Sequence, residues 1–312
     1  MKNWIVLICL LYCNCIFAQD SLFHESDIEL PTATGVIKGT LTVPKEFKKG
    51  PVILFIAGSG PTDRDGNSGM MKSEGTKMLA HQLAEKGIAS VRYDKRGVAA
   101  SFAAGKKEQD LRFEDYVQDA IDWIRLLKTH SEFNSITIVG HSEGSLIGMI
   151  AAPKADKYIS VAGVGQSADK TLKEQLAAQP PMVKDPSYAI LDSLKAGKTV
   201  DSVKPFLYSL FRPSVQPYMI SWFKYEPQEL IKQLKVPILI IQGTNDIQVT
   251  VADANRLHEA NPSSQLVLIE NMNHIFRDVV GDRAANLKTY GDFKLPINPK
   301  LAETIAQFIF KK

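Results

Sequence analysis

Residues 136–152 read ITIVGHSEGSLIGMIAA and constrain the fold more than any other segment. Four β-branched residues, Ile136 to Val139, form a short apolar run, and residues 145–152 follow as a helical run. Only Gly140-His141-Ser142-Glu143-Gly144 lies between them, so the chain must turn from strand to helix within five residues. A turn this tight forces Ser142 into strained backbone geometry, and the glycines at 140 and 144 let neighbouring backbone pass close by. The serine oxygen then stands clear of the strand, facing the free N–H groups of the following helix. A chain with this element at its centre alternates strands and helices.

The rest of the sequence agrees. Residues 52–56 and 238–241 are further apolar, β-rich runs, as suits strands buried on both faces of a parallel sheet. Phe113, Tyr116, Val117, Ala120, Ile121 and Ile124 recur at helical spacing, as do Leu301, Ile305, Phe308 and Ile309. An α/β fold with right-handed crossovers is expected. Residues 36–43 (VIKGTLTV) alternate and should begin the sheet as an antiparallel hairpin or edge. Residues 168–236 break the rhythm: they are rich in proline, and Phe206, Tyr208, Phe211, Tyr218, Trp222, Phe223 and Tyr225 crowd their second half. They are expected to form a mainly helical cap insertion. Phe211 and Trp222 are its candidate substrate-binding residues.

A nucleophilic serine needs a base, a carboxylate behind the base, and donors for the oxyanion. His274 follows the apolar run 266–269 in the loop sequence ENMNH, whereas His81 and His258 fall in amphipathic helical patterns. His24 and His130 sit near segment ends, and the His141 side chain should point away from the serine. Asp246 directly follows the strand-like 238–243 and can fix the tautomer of His274. Asp169 is the rival acid. The backbone N–H of Glu143 is one expected oxyanion donor. The second is placed at Ser59, in the glycine-rich loop Gly58-Ser59-Gly60-Pro61.

GHSEG (140–144), GTNDIQV (243–249), NMNH (271–274) and YDKRG (93–97) together resemble the α/β-hydrolase superfamily. More narrowly, AGSGPTDRDGN (57–67) resembles bacterial carboxylesterases grouped with serine aminopeptidase-like hydrolases. The resemblance implies an eight-stranded, mostly parallel sheet flanked by helices, with a cap and the triad Ser142, Asp246, His274, whose order matches that of the superfamily. An Ala57-Gly58 pair replaces the common His-Gly of the oxyanion loop. The expected activity is hydrolysis of a small-molecule carboxylic ester through an acyl-enzyme. A serine peptidase or amidase of the same fold is the alternative, and a catalytically dead binding module is a third reading that the complete triad opposes.

Other classes are disfavoured. The formal net charge of +3 comes with no basic patch, so nucleic acid is not an expected partner. Asp63-Arg64-Asp65-Gly66-Asn67, with Glu74 twelfth, resembles a calcium loop, but Ser68 stands where glycine is needed. A salt-bridged loop is the better reading, and no metal or cofactor is expected. Tyr93-Asp94-Lys95-Arg96-Gly97 is read as a turn held by an Arg–Asp pair. Residues 1–18 combine Lys2, an apolar run from Trp4 to Leu11 and a small residue at Ala18, the pattern of a secretory signal peptide. Cys9, Cys13 and Cys15, the three cysteines, all fall inside it, so thiol catalysis is excluded from the mature chain. The hydrolase domain is then 19–312, secreted or periplasmic, with no stable membrane insertion after cleavage.

Overall fold

The computed structural model describes residues 22–69 and 71–311. The expected signal segment, with its three cysteines, lies outside the described residues. Eight strands, β1 (Phe23–Thr32), β2 (Gly35–Pro44), β3 (Gly50–Ile56), β4 (Ala89–Tyr93), β5 (Phe133–His141), β6 (Lys157–Val161), β7 (Ile238–Gly243) and β8 (Gln265–Ile269), form one sheet in the order β1-β2-β4-β3-β5-β6-β7-β8. From β4 to β8 every pairing is parallel, while β2 runs antiparallel to both β1 and β4. The α/β architecture is therefore the mostly parallel eight-stranded sheet expected from the sequence.

Successive side chains of a strand point to opposite faces, and here both faces are covered. Val52, Leu54 and Ile56 of β3 join one core with Phe113, Trp123, Ile124 and Leu146. Ile53 and Phe55 join the other with Leu79, Leu83, Ile305 and Phe308. The first core is built by α2 (Phe113–Leu127) and α3 (Glu143–Ala151), the second by α1 (Gly75–Glu85) and α11 (Pro299–Phe310). The apolar stripes read from spacing in α2 and α11 bury the same faces. The start of α11 is set by Pro299 in the first turn and by Asn298, whose side chain accepts from Lys300 N.

The N-terminus extends further than its pattern suggests. Residues 36–43 do form an antiparallel strand, but β1 precedes it and pairs with it from Phe23↔Pro44 to Thr32↔Gly35. Only Ile28 and Leu30 of β1 are buried, so this edge strand lacks the alternation that would betray it.

Between β6 and β7 the chain leaves the sheet. Helices α4 (Ala168–Leu176), α5 (Pro181–Lys195), α6 (Tyr208–Phe211) and α7 (Gln216–Trp222) share a separate small core of Leu191, Leu194, Phe211, Met219 and Phe223. The return helix α8 (Pro227–Gln233) instead packs Ile231 into the body. The helical insertion is anchored on the start of α2: Phe113 stacks on Trp222 at 6.1 Å, lies 5.3 Å from Tyr225, and receives the Ser221 hydroxyl as acceptor for its N–H at 2.8 Å. The body is completed by α9 (Val251–Ala260) and α10 (Arg283–Lys288). Among the described residues no helix is long and apolar enough to cross a membrane.

Candidate active site

The strand-to-helix turn at residue 142 is as tight as its sequence demands. Ser142 has φ 55° and ψ −120°, a conformation that a residue with a side chain holds only under constraint. A Cβ on Gly140 would come within 2.3 Å of the Gly144 carbonyl oxygen, and one on Gly144 within 2.2 Å of the Ile56 carbonyl oxygen. Both positions therefore require glycine. The turn is pinned from the side, since Ser142 N donates to Val161 O at 3.0 Å.

Asp246 and His274 lie beyond the C-terminal ends of β7 and β8, where open α/β sheets place their ligands. His274 Nδ1 and Asp246 Oδ2 are 2.8 Å apart, and their side chains are 6% and 1% exposed. A carboxylate only accepts, so Nδ1 carries the proton and Nε2 of neutral His274 is bare. The other carboxylate oxygen of Asp246 accepts from Gln248 N at 2.8 Å and Val249 N at 3.0 Å. Burial alone would raise the pKa of Asp246. The charge and hydrogen bond of His274, with the two backbone donors, outweigh it and hold the carboxyl below the usual carboxylate range.

Several bonds that the sequence did not announce brace these two loops. Asn245 N donates to Met272 O at 3.1 Å, and Asn271 N to Thr244 Oγ1 at 2.9 Å. Gln242 Nε2 reaches Asp246 Oδ2 at 3.2 Å, and Asn286 Nδ2 reaches Asn245 O at 2.6 Å. Asp169, the rival acid, is elsewhere: it pairs with Lys195 at 3.0 Å within the insertion.

Ser142 and His274 line one small cavity of about 90 Å³ with Gly58, Ser59 and Phe276. Ser142 also opens into a larger cavity of about 420 Å³, walled by Glu143, Ser59, Leu172, Leu210, Met219 and Trp222. The structure thus brings together Ser142, His274, Asp246, Ser59 and Glu143. Trp222 does face the cavity, but Phe211 does not. Phe211 is fully buried in the insertion's own core, because its four-residue helix α6 turns Leu210, not Phe211, to the cavity.

His141 also departs from expectation. Its ring does not point away from the site; it packs 4.7 Å from the His274 ring and 4.8 Å from Phe276. The YDKRG turn is held by Arg–Asp pairs, as expected, but each pair reaches outside the segment. Asp94 accepts from Arg64 of the TDRDGN loop at 2.8 Å, and Arg96 pairs with Asp119 of α2. Between them Lys95 is 3% exposed and reaches Glu143 Oε1 at 3.2 Å, a contact no spacing rule signals. In the TDRDGN loop, Asp63 accepts from the N–H groups of Asp65 and Asn67 at 2.9 and 2.8 Å. Among the described residues no cluster of three or more metal-ligating side chains is found.

The description "Serine aminopeptidase, S33" fits the family matched by residues 69–187. Esterase EstD of Thermotoga maritima is 26% identical over 275 residues, covering 83% of this chain; the chain spans 61% of that relative's length. Est1E from Butyrivibrio proteoclasticus, solved with ferulic acid bound, is 17% identical and superposes with a TM-score of 0.62, covering 91% of this chain and all of the other. A Pyrococcus horikoshii acylaminoacyl peptidase is 16% identical with a TM-score of 0.59, covering 95% of this chain and 44% of that one. The chain has the fold of these α/β hydrolases. The helical insertion walls the larger of the two cavities at Ser142, and the loops after the strands wall the smaller.

Proposed function

We propose that this α/β hydrolase is a serine esterase acting on small-molecule carboxylic esters through an acyl-enzyme. The observation that carries the reading is the 2.8 Å Asp246–His274 bond beside a strained Ser142 in a shared cavity. Ser142 Oγ attacks the acyl carbonyl carbon while His274 Nε2 takes its proton, and the carbonyl π electrons move onto the oxygen. Backbone N–H groups of Ser59 and Glu143 receive that oxyanion. The intermediate collapses, expelling the alcohol oxygen, which leaves with the proton from His274. Water then attacks the acyl group, giving its proton to the same Nε2, and the acid is released with Ser142 restored.

The family description and the peptidase neighbour make aminopeptidase chemistry the second reading. Such an enzyme needs a carboxylate to hold the free ammonium of its substrate. Among the residues lining the large cavity Glu143 is the sole carboxylate, and it is already engaged by Lys95 at 3.2 Å and Tyr218 at 2.9 Å. The ester reading is therefore preferred. Export directed by residues 1–18 belongs to the same proposal and predicts a mature N-terminus near residue 19.

A panel of alkyl and p-nitrophenyl esters beside aminoacyl anilides tests the substrate class. A fluorophosphonate probe tests the nucleophile: it should label the wild type and leave folded Ser142→Ala unlabelled. Anilide turnover exceeding ester turnover would replace the first reading with the second.

A further inference from the structure

Lysine is rarely buried without a reason, and Lys95 has an unusual set of partners. Its Nζ donates to Gly58 O at 2.8 Å and to Glu143 Oε1 at 3.2 Å, with Gly60 O at 3.5 Å. The Tyr116 ring closes a further side, 4.5 Å from the ammonium. Glu143 is itself 3% exposed and also accepts from the Tyr218 hydroxyl at 2.9 Å. Tyr218 belongs to α7 of the insertion and lines the large cavity.

We infer that Lys95 is the positioning residue of the oxyanion hole, holding its two donor-bearing segments with one ammonium group. The inference rests on the serine-hydrolase reading. Both proposed donors sit next to atoms that Lys95 holds. Gly58 O and the Ser59 N–H belong to the same peptide unit. In a planar trans peptide these two groups point in opposite directions. Anchoring the carbonyl on Lys95 therefore fixes the direction in which Ser59 N–H donates, on an otherwise exposed glycine-rich loop. The ion pair with Glu143 ties the same ammonium to the residue that supplies the other donor.

The charge adds to the geometry. A hydrogen bond from an ammonium polarises the peptide it contacts, which strengthens the N–H at the other end of that unit. Preorganised donors matter most as charge develops on the carbonyl oxygen and little in the ground state. Tyr218 extends the arrangement to the insertion, so the wall of the substrate cavity and the oxyanion hole share one buried polar chain.

The test compares wild type with Lys95→Met, the double variant Lys95→Met/Glu143→Gln, and Tyr218→Phe. The double variant removes both charges, so it leaves no unpaired buried carboxylate if the single variant fails to fold. Each is assayed for kcat and KM on an ester that the wild type turns over. Each is also titrated with a trifluoromethyl ketone, which forms a tetrahedral oxyanion on serine, and with the matching methyl ketone, which stays a ground-state carbonyl.

The lysine variants should lose about 10²-fold in kcat, the low end of the cost of losing one oxyanion donor. KM should stay within about threefold, and affinity for the trifluoromethyl ketone should fall in parallel with kcat while the methyl ketone is unaffected. Tyr218→Phe should show the same pattern at a smaller amplitude. Folded lysine variants with wild-type kcat, or with both ketones weakened equally, would overturn the assignment. Failure of the underlying reading looks different: the wild type would hydrolyse no ester, or Ser142→Ala would keep the activity, and the inference would fall with it.

Discussion

His141 donates its Nε2 proton to the backbone carbonyl of His274, 2.9 Å away, so the residue before Ser142 braces His274. A carbonyl cannot donate, which fixes the neutral tautomer of His141 with its proton on Nε2. Burial, and then the neighbouring His274, pull the His141 pKa down to about 3.

The first prediction follows from that depression. An unfolded histidine titrates near pH 6.5, whereas folded His141 titrates near 3. Between those values the unfolded chain binds the proton and the folded chain does not, so stability must fall as pH drops through this window. The contribution is at most about 1.4 kcal/mol per pH unit. His141→Gln keeps a donor for the His274 carbonyl but does not titrate. Urea unfolding from pH 7 to pH 4 should therefore give a shallower loss for the variant than for the wild type. Parallel curves would show that His141 is protonated in the folded state.

The two candidate acids can be separated by turnover. Asp246→Asn keeps the shape of the site but presents an amide to His274 Nδ1, which favours the wrong tautomer. A loss of up to ~10⁴-fold in kcat is expected, as for the triad template. Asp169→Asn breaks a partly exposed pair with Lys195, and such pairs contribute about 1 kcal/mol or less. Its kcat should stay within about twofold of wild type. Reversal of the two effects would move the acid to the insertion.

Glycine at the elbow gives a prediction about folding. Gly144→Ala would set a methyl 2.2 Å from Ile56 O and 2.5 Å from Ala57 O, both backbone atoms of the β3 end. Backbone cannot rotate aside as a side chain can, so either α3 or β3 must shift. A destabilisation of about 3 kcal/mol, the upper range for overpacking, is expected from equilibrium denaturation. By contrast, a Cβ at Gly197 meets nothing within 4 Å, and its positive φ of 76° is the main obstacle there. Gly197→Ala should cost about 1 kcal/mol.

What was legible in the sequence follows the range of the physics involved. Residues 136–152 and the stripes of α2 and α11 are local patterns, and local patterns fix their own buried faces. The placement of Asp246 and His274 could be read because loops that follow adjacent parallel strands emerge at the same sheet edge. β1 escaped notice because an exposed edge strand needs no alternation. Lys95 escaped because its role depends on three segments, residues 58–60, 143 and 218, that meet only in the folded chain. Phe211 misled because aromatic content says that a segment packs, not which of its rings faces a ligand.

The last prediction concerns which part of an ester each cavity takes. In the proposed mechanism His274 must hand its proton to the departing alcohol oxygen, so the alcohol lies on the His274 side of Ser142. His274 lines the cavity of about 90 Å³, and the cavity of about 420 Å³ is lined by Glu143 and the insertion instead. The larger space then receives the acyl group, close to the oxyanion donors, and the smaller one receives the alcohol. Each methylene buried in the larger cavity contributes about 0.8 kcal/mol, roughly a factor of four in binding. With a methyl ester series followed by proton release, kcat/KM should rise with acyl length and then fall once the chain outgrows the insertion. With a fixed acyl group, methyl and ethyl esters should exceed butyl and branched ones. Trp222→Ala or Leu210→Ala should shift the acyl optimum without changing the alcohol preference. Met71→Ala, in the wall of the small cavity, should relax the alcohol preference and leave the acyl optimum in place. If Met71→Ala moved the acyl optimum and Trp222→Ala moved the alcohol preference, the two cavities would have to exchange roles.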